Sequence, residues 1–182
     1  GLICLSGGPN GILGSLFLKN KIKDAKKMCK WLQHLFEDRL YIELQRHPDN
    51  NKKNLKTEYE TEPFFLELAY ENNIPIVATN DVYFRDRTMF EAHDALLCIA
   101  DGVYVDQTAK RRKLTPEHYF KSSSEMCELF SDLPEAVRNT ILIAKRCSVK
   151  AEKIAPILPK FADNEVEELY IQSFEGLKKR LI

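Results

Sequence analysis

The 182-residue chain has no charge imbalance: 27 Lys and Arg stand against 27 Asp and Glu. A protein that grips nucleic acid unaided leaves a basic footprint, because its cations must replace the counterions of phosphates. A neutral balance argues against that role for the segment by itself. No apolar run is long enough to span a membrane, and no signal peptide is visible. None of the five cysteines (Cys4, Cys29, Cys98, Cys127 and Cys147) forms a C-x-x-C pair, and their number is odd. That pattern excludes a full disulfide framework, and their places in or beside apolar runs predict reduced, buried thiols. Low-complexity tracts are absent. So are the Lys-Ser/Thr of a P-loop, the spacing of a dinucleotide fingerprint and any Ser-His-Asp or Cys-His arrangement. What remains is ordinary globular composition, 44% hydrophobic and 30% charged, at a length that buries a sizeable core.

Three short apolar runs each end in a polar turn. Gly1–Leu5 runs into Ser6-Gly7-Gly8-Pro9-Asn10-Gly11, Leu40–Leu44 into Gln45-Arg46-His47-Pro48, and Pro75–Thr79 into Asn80-Asp81-Val82-Tyr83. Runs of this kind predict buried parallel strands. Helical patterns between them predict βα units, whose chemistry collects at the carboxyl ends of the strands. The first helix places Ile22, Met28, Cys29, Leu32, Leu35 and Phe36 near one face. A second covers roughly 57–71, with Phe65, Leu68 and Ala69 as its apolar stripe. A third carries Met89, His93, Leu96, Leu97 and Ala100 and stops at Asp101-Gly102, a C-cap signal. Gly7, Gly8, Gly11 and Gly14 read as a loop after the first strand, and 48–56 as another.

After residue 105 the βα rhythm gives way to short helices. Thr115-Pro116 predicts one start, the capping box Ser122-x-x-Glu125 a second, and Asp132-x-x-Glu135 a third, apolar at Val137, Ile141 and Ala144. The basic run Lys110-Arg111-Arg112-Lys113 reads as a solvated loop. Residues 150–161, with Pro156 and Pro159, read as an extended connector, and Asn164-x-x-Glu167 caps a last helix toward Leu181.

The segments LICLSGG (2–8), YIELQRH (41–47), PIVATNDVYF (75–84), AHDALLCIADG (92–102) and LPEAVRNTILIAKRC (133–147) occur in that order. Together they resemble the bacterial replicative DNA polymerase III alpha-subunit family, in the C-terminal part of its polymerase-and-histidinol-phosphatase (PHP) domain. The resemblance covers essentially the whole chain. It implies an α/β fold: a partial PHP-type (β/α)7 barrel without its N-terminal strands, followed by a series of short helices. It implies a PHP part at 1–150, then a connector and the first helix toward the polymerase palm at 151–182. It also implies a cytoplasmic DNA-directed DNA polymerase as parent, served by Mg2+ in a palm outside this chain. The implied partners are a proofreading exonuclease subunit, other replicase subunits and primer-template DNA, with no membrane.

Active members of this domain family hold metal ions on His, Asp, Glu and Cys side chains. Their Ser-Gly-Cys pattern is Ser6-Gly7-Gly8 here, and their Asn-Asp-Val-His is Asn80-Asp81-Val82-Tyr83. Glycine offers no ligand, and a neutral phenol is a poor substitute for imidazole. Gly8 and Tyr83 are therefore degenerate ligand positions, and Asp81 is a remnant. The expectation is a non-catalytic scaffold that docks the exonuclease subunit and has no cofactor in this segment. The rival is a metal-dependent 3′–5′ exonuclease or phosphoesterase. Asp81 is expected to cap a helix or close a turn through its own side chain. His47 and Asn80 are candidates for supporting positions behind such a site. His93 reads as a hydrogen-bonded core histidine, while His34 and His118 read as exposed.

Overall fold

A computed structural model describes residues 1–48, 56–107, 111–112, 114–155 and 158–181. The chain forms two compact units, Gly1–Ser148 and Val149–Ile182.

In the first unit, β1 (Cys4–Leu5), β2 (Leu40–Gln45) and β3 (Ile76–Thr79) form a parallel sheet in the order β1-β2-β3. Leu5 pairs with Tyr41, and Gln45 with Thr79; the strands are parallel, so all three carboxyl ends point the same way, and β1 stops beside the start of β2. α1 (Ile12–Leu18) and α2 (Ile22–Phe36) connect β1 to β2, and α3 (Lys56–Glu71) connects β2 to β3. β2 is buried along nearly its whole length, as a central strand covered on both faces must be.

The buried faces follow the helical period. α2 buries Ala25, Cys29 and Leu32, and α3 buries Phe64, Phe65, Leu68 and Ala69. They join Leu13, Leu40, Ile42, Leu44 and Ile76 in one apolar cluster with Phe130 and Ala136. α6 (Pro134–Arg146) packs along β3, where the Asn139 amide donates to the Ile76 carbonyl at 2.7 Å.

Several sequence expectations change here. Gly14 lies inside α1, not in a loop. A Cβ on it would sit 2.4 Å from the Pro9 carbonyl oxygen, so the helix passes the preceding turn too closely for any side chain. α4 (Phe90–Asp101) turns its supposed apolar stripe outward: Leu96 is 60% exposed, and the buried residues are Asp94 and Cys98. The polar residue goes inward because the Arg111 guanidinium meets the Asp94 carboxylate at 2.7 Å through both nitrogens, a charge-assisted fork. The solvated reading of the basic run thus fails at Arg111. Arg112 pairs with Asp101, and Lys110 and Lys113 lie outside the described residues. Thr115-Pro116 opens a turn, not a helix; beyond it Tyr119 bridges to Phe84. Of the cysteines, Cys29 and Cys98 are buried, Cys4 is half-buried, and Cys127 and Cys147 are exposed.

Other expectations hold. Gly102 adopts a left-handed conformation (φ 65°) as the C-cap of α4, with its N–H on the carbonyls of Cys98 and Ile99. Ser122 and Glu125 close a full capping box on α5 (Ser123–Leu129). Asp132, however, does not cap α6: Leu133 takes that place, Pro134 follows at the first turn, and the Asp132 carboxylate is spent on Arg46. In the second unit, the Asn164 side chain caps α7 (Glu165–Arg180). Its first turn is acidic and its last basic, in agreement with the helix dipole. No helix among the described residues is long and apolar enough to cross a membrane.

Candidate functional site

A carboxylate inside a buried strand must find donors. Glu43 of β2 finds them on all three strand ends. It accepts from the Gly7 N–H at 2.9 Å, the Thr79 hydroxyl at 2.5 Å and the Gln45 amide at 3.3 Å, while its own N–H donates to the Ser6 hydroxyl at 2.9 Å. Glu43 thereby ties the ends of β1, β2 and β3 together. Sequence reasoning passed over it, although a charged residue within an otherwise apolar buried run is the signal that could have found it.

Gly8 is buried in a 3-10 turn with φ +55°. The space a side chain would enter is taken: a Cβ there would lie 2.5 Å from Gln45 Oε1 and 2.9 Å from its Cδ. Gln45 is in turn held to Glu43.

His47 follows the end of β2 and is 1% exposed. Glu58 of α3 accepts from its backbone N–H at 2.7 Å and contacts its Nδ1 at 2.6 Å. A carboxylate only accepts, so the Nδ1 carries a proton, and Nε2 is buried without a hydrogen-bond partner among the described residues. His118 is also buried, contrary to the exposed reading, and its ring stacks on His47 at 4.0 Å and 7°. Burial pushes the His118 imidazole down to about 4; neighbouring His47 pushes the same way, against the Thr115 carbonyl, Asp81 and Glu58.

Tyr83 is half exposed and sets its ring edge against His93 (5.6 Å) and His118 (5.9 Å). Its backbone N–H donates to the His118 carbonyl at 2.9 Å. Asn80 is a loop fastener: its amide donates to the Tyr119 carbonyl at 2.7 Å and its carbonyl accepts from buried Lys121 at 3.3 Å. Burial lowers the Lys121 ammonium. Asp81 is half-buried, and its carboxylate accepts no hydrogen bond among the described residues; the turn that follows is capped by Asp86 instead, through the Thr88 N–H. His93 is half-buried but not the hydrogen-bonded core histidine expected: its Nδ1 has no partner among the described residues, and its ring rests on Phe84 at 5.5 Å. His34 is exposed as expected.

The structure thus gathers Asn80, Tyr83 and His47 around the His118 loop, and places Gly8 against the Gln45 side chain. Glu58, His118 and Lys121 were missed, because their relation to the strand ends is made by chain segments distant in sequence. Among the described residues, no group of three or more His, Cys, Asp or Glu side chains could hold a metal ion. These described residues do not by themselves supply the metal cluster that the domain family implies.

Residues 1–47 match the PHP domain model. The whole chain aligns with DNA polymerase III subunit alpha of Caulobacter vibrioides at 48% identity over 185 residues, with that of Rickettsia bellii at 39%, and with that of Haemophilus influenzae at 37%. Its homologues are DNA polymerase III alpha subunits. The alignment takes in all of this chain and 16% of the Caulobacter subunit, and 15% of each of the other two. The chain therefore spans about one-sixth of the alpha subunits it matches, in their PHP region.

Proposed function

We propose that this segment is a non-catalytic scaffold within a DNA-directed DNA polymerase of the replicase, docking the proofreading exonuclease subunit. It would be the C-terminal part of a PHP-type barrel through about residue 150, with 151–182 leading toward the palm. Nucleotide transfer, with its Mg2+ and primer-template DNA, belongs to that palm in the cytoplasmic parent enzyme. The observation that carries the reading is the closure of the strand ends by the chain's own side chains. Gln45 fills the place of a side chain at Gly8, Glu43 is saturated by three donors, and the Tyr83 ring lies against His93 and His118.

One observation favours a second reading, a metal-dependent phosphoesterase completed by residues outside this chain. A histidine that donates Nδ1–H to a carboxylate and keeps Nε2 unpartnered has the form of a supported metal ligand, and His47 with Glu58 has that form.

The two readings separate in the full-length subunit. Under the scaffold reading, Asp81→Asn leaves primer extension and exonuclease-subunit capture nearly intact. Leu68→Ala, in the core, costs roughly 2–5 kcal/mol and weakens both. Stoichiometric bound metal that disappears with Asp81→Asn, or greater damage from Asp81→Asn than from Leu68→Ala, would overturn the scaffold reading.

A further inference from the structure

The neutral balance of the chain hides a polarised surface. Residues 19–30 contain six lysines and a single acidic residue, Asp24. Lys26 is engaged with Glu67 (2.5 Å) and Glu71 (3.3 Å) across the groove to α3. Lys19, Lys21, Lys23, Lys27 and Lys30 are exposed, and their ammonium groups pair with none of the described residues. On α2, Lys23, Lys27, Lys30 and His34 share an arc of about 60°, directly opposite the buried line of Ala25, Cys29 and Leu32. Trp31, the only tryptophan in the chain, flanks that arc and is 56% exposed.

Helix stability does not account for this placement. Lys21 stands at the N-cap of α2 without a side-chain hydrogen bond, and Lys23 lies in the first turn. The positive end of the helix dipole disfavours cations there, and the same dipole adds to the attraction for an anion. A local rule broken without a compensating contact points to a demand from outside the chain.

We propose that this lysine face, with Trp31, binds single-stranded nucleic acid. The inference rests on the polymerase reading, which puts a single-stranded template within the protein's work. Phosphates would lie along the lysines and one base would stack on the indole. Lys23 to Lys30 spans about 10 Å of helix axis, on the scale of a few successive phosphates of one strand. A duplex keeps its base faces covered, so the exposed indole favours the single strand.

The test uses the full-length subunit and an oligothymidylate. Acetylation of lysines, read by mass spectrometry with and without the oligonucleotide, should show Lys23, Lys27 and Lys30 protected. The triple variant Lys23→Gln/Lys27→Gln/Lys30→Gln keeps good helix formers. It should flatten the slope of log affinity against log salt by about 2, at ~0.7 per phosphate contact. Trp31→Ala should weaken binding roughly tenfold. Equal acetylation in both conditions, an unchanged salt slope, or protection by phosphatidylserine vesicles but not by the oligonucleotide would overturn the proposal. Failure of the subunit to extend any primer would sink the polymerase reading instead, and the protection experiment would still judge this face.

Discussion

The imidazole of His118 lies flat on that of His47, 4.0 Å away and within 7° of parallel. The contact fastens the loop at 114–121 onto the end of β2, and it does so with a neutral His118, whose titration is pushed down to about 4.

The sign of the pH dependence follows. Between about pH 6.5, the value of a free histidine, and about 4, the unfolded chain takes up a proton that the folded His118 refuses. Stability should fall as pH drops through that window, by at most about 3 kcal/mol, and this group adds nothing further below it. Carboxylates held low in the fold, Glu125 at about 2 through Tyr119 and Ser122, lose their stabilising effect at lower pH still. Melting of wild type and His118→Phe between pH 7 and 4.5 checks this: the variant keeps a ring over His47 and should show a flatter profile. Equal slopes would rule out His118 as the source.

A cysteine at position 8 should be opposed for a local reason. Gly8→Cys puts a Cβ into the Gln45 side chain and into a left-handed backbone, which costs ~1–2 kcal/mol by conformation alone. The single variant should melt below wild type. Gly8→Cys/Gln45→Ala should recover the steric part and keep the backbone part, so the two changes are not additive. Full additivity in thermal melts would show that the two sites do not meet.

Arg46 is the strongest polar link between the sheet and the later helices. It forks onto Glu62 (2.8 and 2.6 Å) and Asp132 (2.6 and 2.9 Å), donates to the Leu129 carbonyl at 2.8 Å and lies over the Phe130 ring. Arg46→Met keeps the apolar volume and strands Glu62. With Asp132 well exposed, the expected loss is about 2–4 kcal/mol, read from the urea midpoint. Arg46→Lys should restore less than half of it, because one ammonium cannot make two forks. A loss under 0.5 kcal/mol would mean that the network is ornamental.

Leucines of similar sequence context should behave differently. Leu96→Ala, at a site 60% exposed, should change stability by no more than ~0.5 kcal/mol, whereas Leu68→Ala should cost roughly 2–5 kcal/mol. Denaturant melts of the pair decide. A comparable loss at Leu96 would show that another surface covers α4 in the full-length protein.

The three strands, the helices α2 and α3, the Gly102 stop and the Ser122 and Asn164 caps were legible in the sequence, because each depends on residues within a few positions of one another. Periodicity named Phe65, Leu68 and Ala69 as core for the same reason. The inward face of α4 was not legible: its apolar count favours Leu96, and Arg111, 17 positions after Asp94, reverses the choice. Asp132 carries the capping signature, yet Arg46, 86 positions earlier, claims its carboxylate. The site divides in the same way. The end of the third strand named Asn80 and Asp81, and the family resemblance named Gly8 and Tyr83. The tertiary structure decided that Gln45 fills the room beside Gly8, that Glu43 joins three strands, and that His118 covers His47. Desolvation is the physical reason: a buried polar group takes whichever partner the packed chain brings within reach, and sequence spacing carries no record of that partner.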